Sequence, residues 1–292
     1  AGLLLGGRSG SIIPRDAAVV QLDIDGSEIG RLTPVDVGLV ADCGQALEVL
    51  CEAALARAWP RRAAWIAQLE TCREAVTEQP LPEYGPAGRI HPYHAARAVF
   101  EAIGPQATVA IDGGEMTAWC EPLNRASEPG RYLTAGYLGA LGIGQGFAIA
   151  AAVARPGQPS FLVSGDGALG FNLQEFDTMA RHGLPVITVV LNNACWAMSK
   201  NAQDLMFGPQ RRTVVMLDDT RYDQVAIALG CHGEHVTRLD QINPAIARAL
   251  ATGRPACINI ATDPDVMHPI TFGMAGADPR KGKITMPYYQ NP

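Results

Sequence analysis

The stretch that decides the fold is Ser160-Phe-Leu-Val-Ser-Gly165-Asp166-Gly167-Ala168-Leu169-Gly170-Phe-Asn-Leu-Gln-Glu175-Phe-Asp-Thr178-Met-Ala-Arg-His182-Gly183-Leu-Pro185-Val-Ile-Thr-Val-Val-Leu191-Asn192-Asn193. An apolar run (160–164) leads into Gly-Asp-Gly. A helical pattern (172–182) follows and is closed by Gly183, and a second apolar run (185–191) ends on Asn-Asn. Strand, turn, helix and strand of these lengths form a βαβ unit, whose crossover is right-handed and whose strands are parallel. Asp166 then stands just past one buried strand and Asn193 just past the next. Both emerge at the carboxyl edge of the sheet, where open α/β folds bind their ligands.

Working outward, the same alternation continues on both sides. Helical patterns are expected over 91–103, 142–154, 222–229 and 244–251, and strands over 108–111 and 256–260. The fold class is therefore α/β, a doubly wound and mostly parallel sheet with helices on both faces. Residues 1–58 read as the C-terminal part of another α/β domain, with strands over 3–5, 17–24 and 37–40 and a helix over 43–58. Too few strands are present there to close a sheet alone. Residues 59–89 hold a helix (61–77) and a linker rich in Pro and Gly, 90–265 make the second domain, and 266–292 form a tail without periodicity. The start at Ala1, inside an apolar run, reads as entry into the middle of a longer protein.

The residue types at the two strand ends suit one chemistry. Asp and Asn offer hard oxygen donors, which favour Mg²⁺ or Ca²⁺ over soft metals. Mg²⁺ takes one or two protein oxygens and completes its octahedron with phosphate, water or a backbone carbonyl. Gly165, Gly167 and Gly170 let the backbone approach a ligand, and the following helix is expected to add a positive dipole end. Gly-Asp-Gly alone is an ordinary turn and Asn-Asn an ordinary strand end. At crossover spacing, each after an apolar strand, they read as a diphosphate site bridged by a divalent cation.

Composition bounds the alternatives. Apolar residues make up 48% and charged residues 18%, with net charge −6. No basic cluster exceeds Arg61-Arg62 or Arg211-Arg212, which argues against a nucleic-acid partner. No apolar run approaches a membrane span. The seven cysteines form no C-x-x-C pair and read as small buried hydrophobes in a reducing, cytoplasmic setting. The six histidines have no metal-ligand spacing. Gly142-x-Gly144-x-Gly146 is the wrong spacing for a dinucleotide fingerprint.

With Glu175, Thr178, Pro185-Val and Asn192-Asn193 in place, residues 165–193 resemble the signature of the thiamine-diphosphate enzymes of the acetolactate synthase, benzaldehyde lyase and pyruvate decarboxylase group. By that resemblance the cofactors are thiamine diphosphate and Mg²⁺, and Asp166, Asn193 and the backbone carbonyl of Cys195 are the metal ligands. FAD, found in some synthases, is compatible with the resemblance but indicated by no motif. Gly165, Gly167, Ala168 and Leu169 would lie along the cofactor. Gly136-Tyr-Leu-Gly139-Ala-Leu141-Gly142 resembles the segment that holds the cofactor's middle, with Leu141 as the wedge between its rings and the Gly139 carbonyl accepting from the pyrimidine amino group. Asp112-Gly113-Gly114-Glu115 matches the loop that touches the diphosphate, with Glu115 expected on an exposed loop.

The resemblance implies C–C bond cleavage or formation beside a carbonyl, on 2-keto acids, 2-hydroxy ketones or aldehydes. The cofactor supplies the electron sink, and the protein holds its rings close enough for proton transfer. The glutamate that activates the pyrimidine lies, in relatives, on a separate pyrimidine-binding domain of a neighbouring subunit. A homodimer or tetramer is therefore expected, and this chain alone is expected to be incomplete; a cofactor-binding fragment without turnover is the non-enzymatic alternative. Trp196 and Met198 lie where substrate or cofactor is lined, and Trp196 is similar to the benzaldehyde lyases. Those lyases carry a His where this chain has Ala135 and a Tyr near Thr117. The Trp of the acetolactate synthase channel would fall near Ala202 and is absent. The reading is a benzaldehyde lyase-like carboligase, with an acetolactate synthase-type transferase as its rival.

Overall fold

The computed structural model describes residues 16–31, 34–78, 80–136, 139–274, 277–278 and 283–284. The chain forms two compact units that divide between Arg73 and Glu74. In the first, β1 (Val20–Asp23) pairs in parallel with β2 (Val37–Val40), Val20 opposite Val37. Asp42 caps α1 (Cys43–Leu55) by accepting the Gln45 amide, and α2 (Ala63–Thr77) follows. The strand expected over 3–5 lies outside the described residues. Cys43, Cys51 and Cys72 are exposed here, unlike the buried Cys120, Cys195, Cys231 and Cys257 of the second unit.

The second unit is organised by a six-stranded parallel sheet. Its elements are α3 (Pro92–Ala102), β3 (Thr108–Asp112), α4 (Glu115–Cys120), β4 (Tyr132–Thr134), α5 (Gly144–Ala154), β5 (Ser160–Gly165), α6 (Asp166–Leu169), α7 (Glu175–Arg181), β6 (Val186–Asn192), α8 (Ala197–Phe207), α9 (Tyr222–Ala228), β7 (His232–Val236), α10 (Ile242–Thr252), β8 (Ala256–Ala261) and α11 (Pro269–Met274). The strand order is β4-β3-β5-β6-β8-β7, and every pairing is parallel. After β3 the chain turns first to β4 on one side and then to β5 on the other. The topological switch therefore falls between β3 and β5, where doubly wound sheets open their ligand crevice.

The apolar strands β3, β5, β6 and β8 are buried throughout, as expected of strands covered on both faces. One core layer packs α3, α4 and α10 on Val109, Ile111, Phe161, Ile187 and Ile258. The other packs α5, α7 and α9 on Leu162, Val190 and Cys257. Local chemistry fixes the helix ends. The His91 ring accepts the Tyr93 amide at the start of α3, with Pro92 in the first turn, and Gly253 ends α10 in the left-handed region (φ +62°).

Several elements depart from the sequence expectation. The helix expected over 172–182 starts at Glu175, and Asp166–Leu169 forms a separate single turn. The dipole of a long helix is therefore absent beside Asp166; the amides themselves act there. Strands β4 and β7 and helices α4 and α8 were not expected. The linker read over 79–89 is pinned to the second unit along its later part. Tyr84 bridges to Ile90, and the amides of Ala87 and Arg89 donate to the buried Asp263 carboxylate at 2.8 and 3.3 Å. Among the described residues no helix is long and apolar enough to cross a membrane.

Candidate functional site

At the carboxyl ends of β3, β5 and β6 lies a cavity of about 390 Å³. It brings together Gly113, Gly114, Gly139, Leu141, Gly165, Asp166, Gly167, Ala168, Asn193, Cys195, Trp196 and Met198 from four separate stretches of chain. Every cofactor or metal residue proposed from the sequence lines it, with one exception. Leu169 is 1% exposed and packs in the core beneath, so its side chain has no access to a ligand. Another cavity, of about 350 Å³ beside Arg97, Arg125 and Arg131, opens at the amino ends of β3 and β4, away from the switch point.

Two features give the cavity its shape. A β-carbon on Gly167 would lie 2.7 Å from the Trp196 ring, so only glycine admits the indole there. Gly142 has φ +88°, and a β-carbon on it would meet Phe171 at 2.5 Å. The Phe171 and Trp196 rings meet edge-on at 5.9 Å. Met116, Met198 and Trp196 form the apolar wall, and among the described residues no Lys or Arg lines the cavity.

Asp166 carries the electrostatics. It is 3% exposed, and burial pushes its carboxyl up to about 6, opposed by the nearby backbone amides of Gly167, Ala194 and Cys195, which favour the ionised form. Its Oδ2 is buried with no hydrogen-bond partner among the described residues. A buried carboxylate oxygen left unpaired costs free energy, and a cation in the cavity would relieve that cost.

Asn193 and Cys195 are brought to the same place by an unusual backbone. Ala194 adopts a left-handed conformation (φ +55°). Cys195 bridges Met216 in antiparallel register, with the Trp196 amide donating to the Val215 carbonyl and the Leu217 amide to the Ala194 carbonyl, both at 2.8 Å. In that register the bonds flank Cys195, whose own amide and carbonyl turn away from Met216. Its amide reaches the Asn193 Oδ1 at 3.3 Å. Burial and the nearby Asp166 charge push the Cys195 thiol up to about 12. The residues gathered here can offer a carboxylate, a carboxamide and a backbone carbonyl, hard oxygens of the kind that suit Mg²⁺.

Glu115 corrects a sequence expectation. It is not exposed: at 4% exposure it lines the cavity and accepts from Asn201 Nδ2 at 3.0 and 2.9 Å and from Thr271 Oγ1 at 2.6 Å. Lys200, buried beside it, donates to Asn201 Oδ1 and the Pro264 carbonyl. This polar cluster joins α4, α8 and α11, and sequence reading missed it because its members are far apart in the chain.

The profile of the thiamine pyrophosphate enzyme C-terminal TPP binding domain matches residues 112–260, half of the chain. The chain belongs to the thiamine pyrophosphate enzyme family. A probable acetolactate synthase of Mycobacterium bovis is 37% identical over 186 residues, 64% of this chain and 34% of that protein. The 2-hydroxyacyl-CoA lyase 2 of Caenorhabditis elegans is 30% identical over 254 residues, 84% of this chain and 39% of the relative. A thiamine diphosphate-dependent 4-hydroxybenzoylformate decarboxylase from Rhodococcus jostii RHA1 shares the fold, with TM-score 0.70 at 20% identity over 87% of this chain and 45% of that one. The chain spans less than half the length of these relatives. As a member of the family it carries the thiamine pyrophosphate (thiamine diphosphate) binding domain.

Proposed function

We propose that this chain supplies the diphosphate- and Mg²⁺-binding part of an enzyme that cleaves or forms a C–C bond next to a carbonyl, with neutral 2-hydroxy ketones and aldehydes as substrates. The observation that carries the reading is the buried Asp166 carboxylate, with an oxygen left unpaired in a cavity it shares with Asn193 and the Cys195 carbonyl. Asp166, Asn193 and Cys195 hold the metal. Gly113, Gly114, Gly165, Gly167 and Ala168 give the diphosphate close access to backbone. Gly139 and Leu141 hold the middle of the cofactor. When bound, thiamine diphosphate supplies the electron sink for the bond being made or broken. Trp196 and Met198 exclude water from the reacting end. A pyrimidine-binding domain with an activating glutamate, on a neighbouring subunit of a homo-oligomer, completes the site.

The absence of any Lys or Arg along the cavity among the described residues, together with the wall of Trp196, Met198 and Met116, favours a neutral apolar substrate over a carboxylate. The second reading is an acetolactate synthase-type transferase acting on 2-keto acids, favoured by the 37% identity to the mycobacterial protein. The full-length protein, given Mg²⁺ and the cofactor, is offered benzoin and pyruvate in separate assays, with products separated by chromatography. Release of benzaldehyde from benzoin is expected. Consumption of pyruvate to acetolactate with no cleavage of benzoin replaces the first reading by the second, and turnover of neither rejects both.

A further inference from the structure

Ala194, between Asn193 and Cys195 in the cavity shared with Asp166, has a left-handed backbone (φ +55°), a conformation that alanine does not favour unaided. A chain of buried amides leads to it. Arg221 grips the Asp223 carboxylate with two hydrogen bonds of 2.9 and 2.6 Å. Asn259 Nδ2 faces three acceptors, the Thr220 carbonyl at 3.3 Å, Asp223 Oδ1 at 3.5 Å and His235 Nδ1 at 3.5 Å. The amide of Asn259 therefore turns its oxygen to Asn192, whose Nδ2 donates to it at 3.2 Å and to the Thr220 carbonyl at 3.0 Å. With its NH₂ so engaged, Asn192 presents Oδ1 to the Ala194 amide, which donates at 3.0 Å. Asn192, Asn259 and Asp223 are at most 1% exposed, so no water competes for these bonds.

We infer that Asn192 and Asn259 are positioning residues for the metal-binding loop, forming a one-way hydrogen-bond relay that starts at Asp223 and ends by fixing Ala194 in its left-handed turn. The inference rests on the metal site proposed above. Neither residue touches the cation. Each sets the direction of the next amide, and Asn192 sets the separation of the Asn193 side chain and the Cys195 carbonyl. A flipped amide at either position would oppose acceptor to acceptor, so the relay has one orientation.

The test uses the full-length protein with saturating thiamine diphosphate and follows Mn²⁺ binding by electron paramagnetic resonance, with circular dichroism as the check on folding. Asn259→Ala and Asn192→Ala are each expected to weaken Mn²⁺ by about 10-fold or more, the usual effect of removing a partner behind a ligand. The double variant Asn192→Ala with Ala194→Gly is expected to recover most of that loss, because glycine holds a positive φ without support. A role confined to packing would not be rescued this way. Should an alanine variant fail to fold, Asn192→Ser and Asn259→Ser take its place, with the same expected loss and rescue. Wild-type Mn²⁺ affinity in the folded single variants, or no recovery in the double variant, overturns the relay. Asp166→Ala separates the two levels: unchanged Mn²⁺ binding there overturns the metal site itself, whereas loss there with intact binding in the asparagine variants overturns the relay alone.

Discussion

The indole of Trp196 stands so close to Gly167 that a β-carbon there would lie 2.7 Å from the ring. This contact makes a glycine of the Gly-Asp-Gly turn necessary for the cavity wall as well as for approach to a ligand. Gly167→Ala must displace Trp196. The variant is expected to fold, because the ring is only half-buried, but to bind thiamine diphosphate at least about 10-fold more weakly, a loss of roughly 1.4 kcal/mol. Tryptophan fluorescence should change in parallel. Unchanged affinity with unchanged fluorescence would show that the contact has no bearing on the site.

Asp166 should make the metal-free protein sensitive to pH in a defined direction. Its carboxyl is raised to about 6 from 3.8, chiefly by burial. The folded state therefore holds the proton more tightly than the unfolded chain, and the stability this gives is complete below pH 3.8 and lost as pH rises through 6. The two-unit gap corresponds to roughly 3 kcal/mol. Relative to Asp166→Asn, which carries no charge, metal-free wild type is expected to lose melting temperature between about pH 4 and 6. Mg²⁺ with the cofactor should reverse the loss at pH 7. A difference between the two proteins that stays flat over this range contradicts the assignment.

Glu115 links the cavity rim to α11 through Thr271 and to α8 through Asn201. Removing its carboxylate strands the Asn201 Nδ2 donor and the Thr271 hydroxyl in a buried place. Glu115→Ala is expected to cost about 2–3 kcal/mol in urea unfolding, and Thr271→Val about 1 kcal/mol, since the latter removes one of several bonds. Equal costs for the two would mean that Asn201 contributes nothing to the cluster.

Much of this was legible in the sequence, for physical reasons that differ by element. Strands β3, β5, β6 and β8 are continuous apolar runs because both of their faces are covered, and such runs are visible without partners. Strand β7, His-Gly-Glu-His-Val, is an edge strand with polar, half-buried residues, so no apolar pattern announces it. Strand β4 has only three residues. The crossover spacing brought Asp166 and Asn193 to one edge, and the structure adds Cys195 in the same cavity. Leu169 stands apart from the other proposed residues because one helical turn points neighbouring side chains in different directions: Ala168 lines the cavity and the Leu169 side chain packs in the core. The burial of Glu115 depends on Asn201 and Thr271, residues whose proximity only the fold creates. The relay from Asp223 to Ala194 joins α9, β8 and the end of β6 and could not be read locally.

The central claim is that Asp166 holds a divalent cation that bridges the protein to a diphosphate. Isothermal titration of thiamine diphosphate into the full-length protein, with and without Mg²⁺, for wild type and Asp166→Ala, tests it most directly. The account predicts binding that requires Mg²⁺ and that Asp166→Ala abolishes. Binding of equal strength without Mg²⁺ and without the Asp166 carboxylate would contradict it.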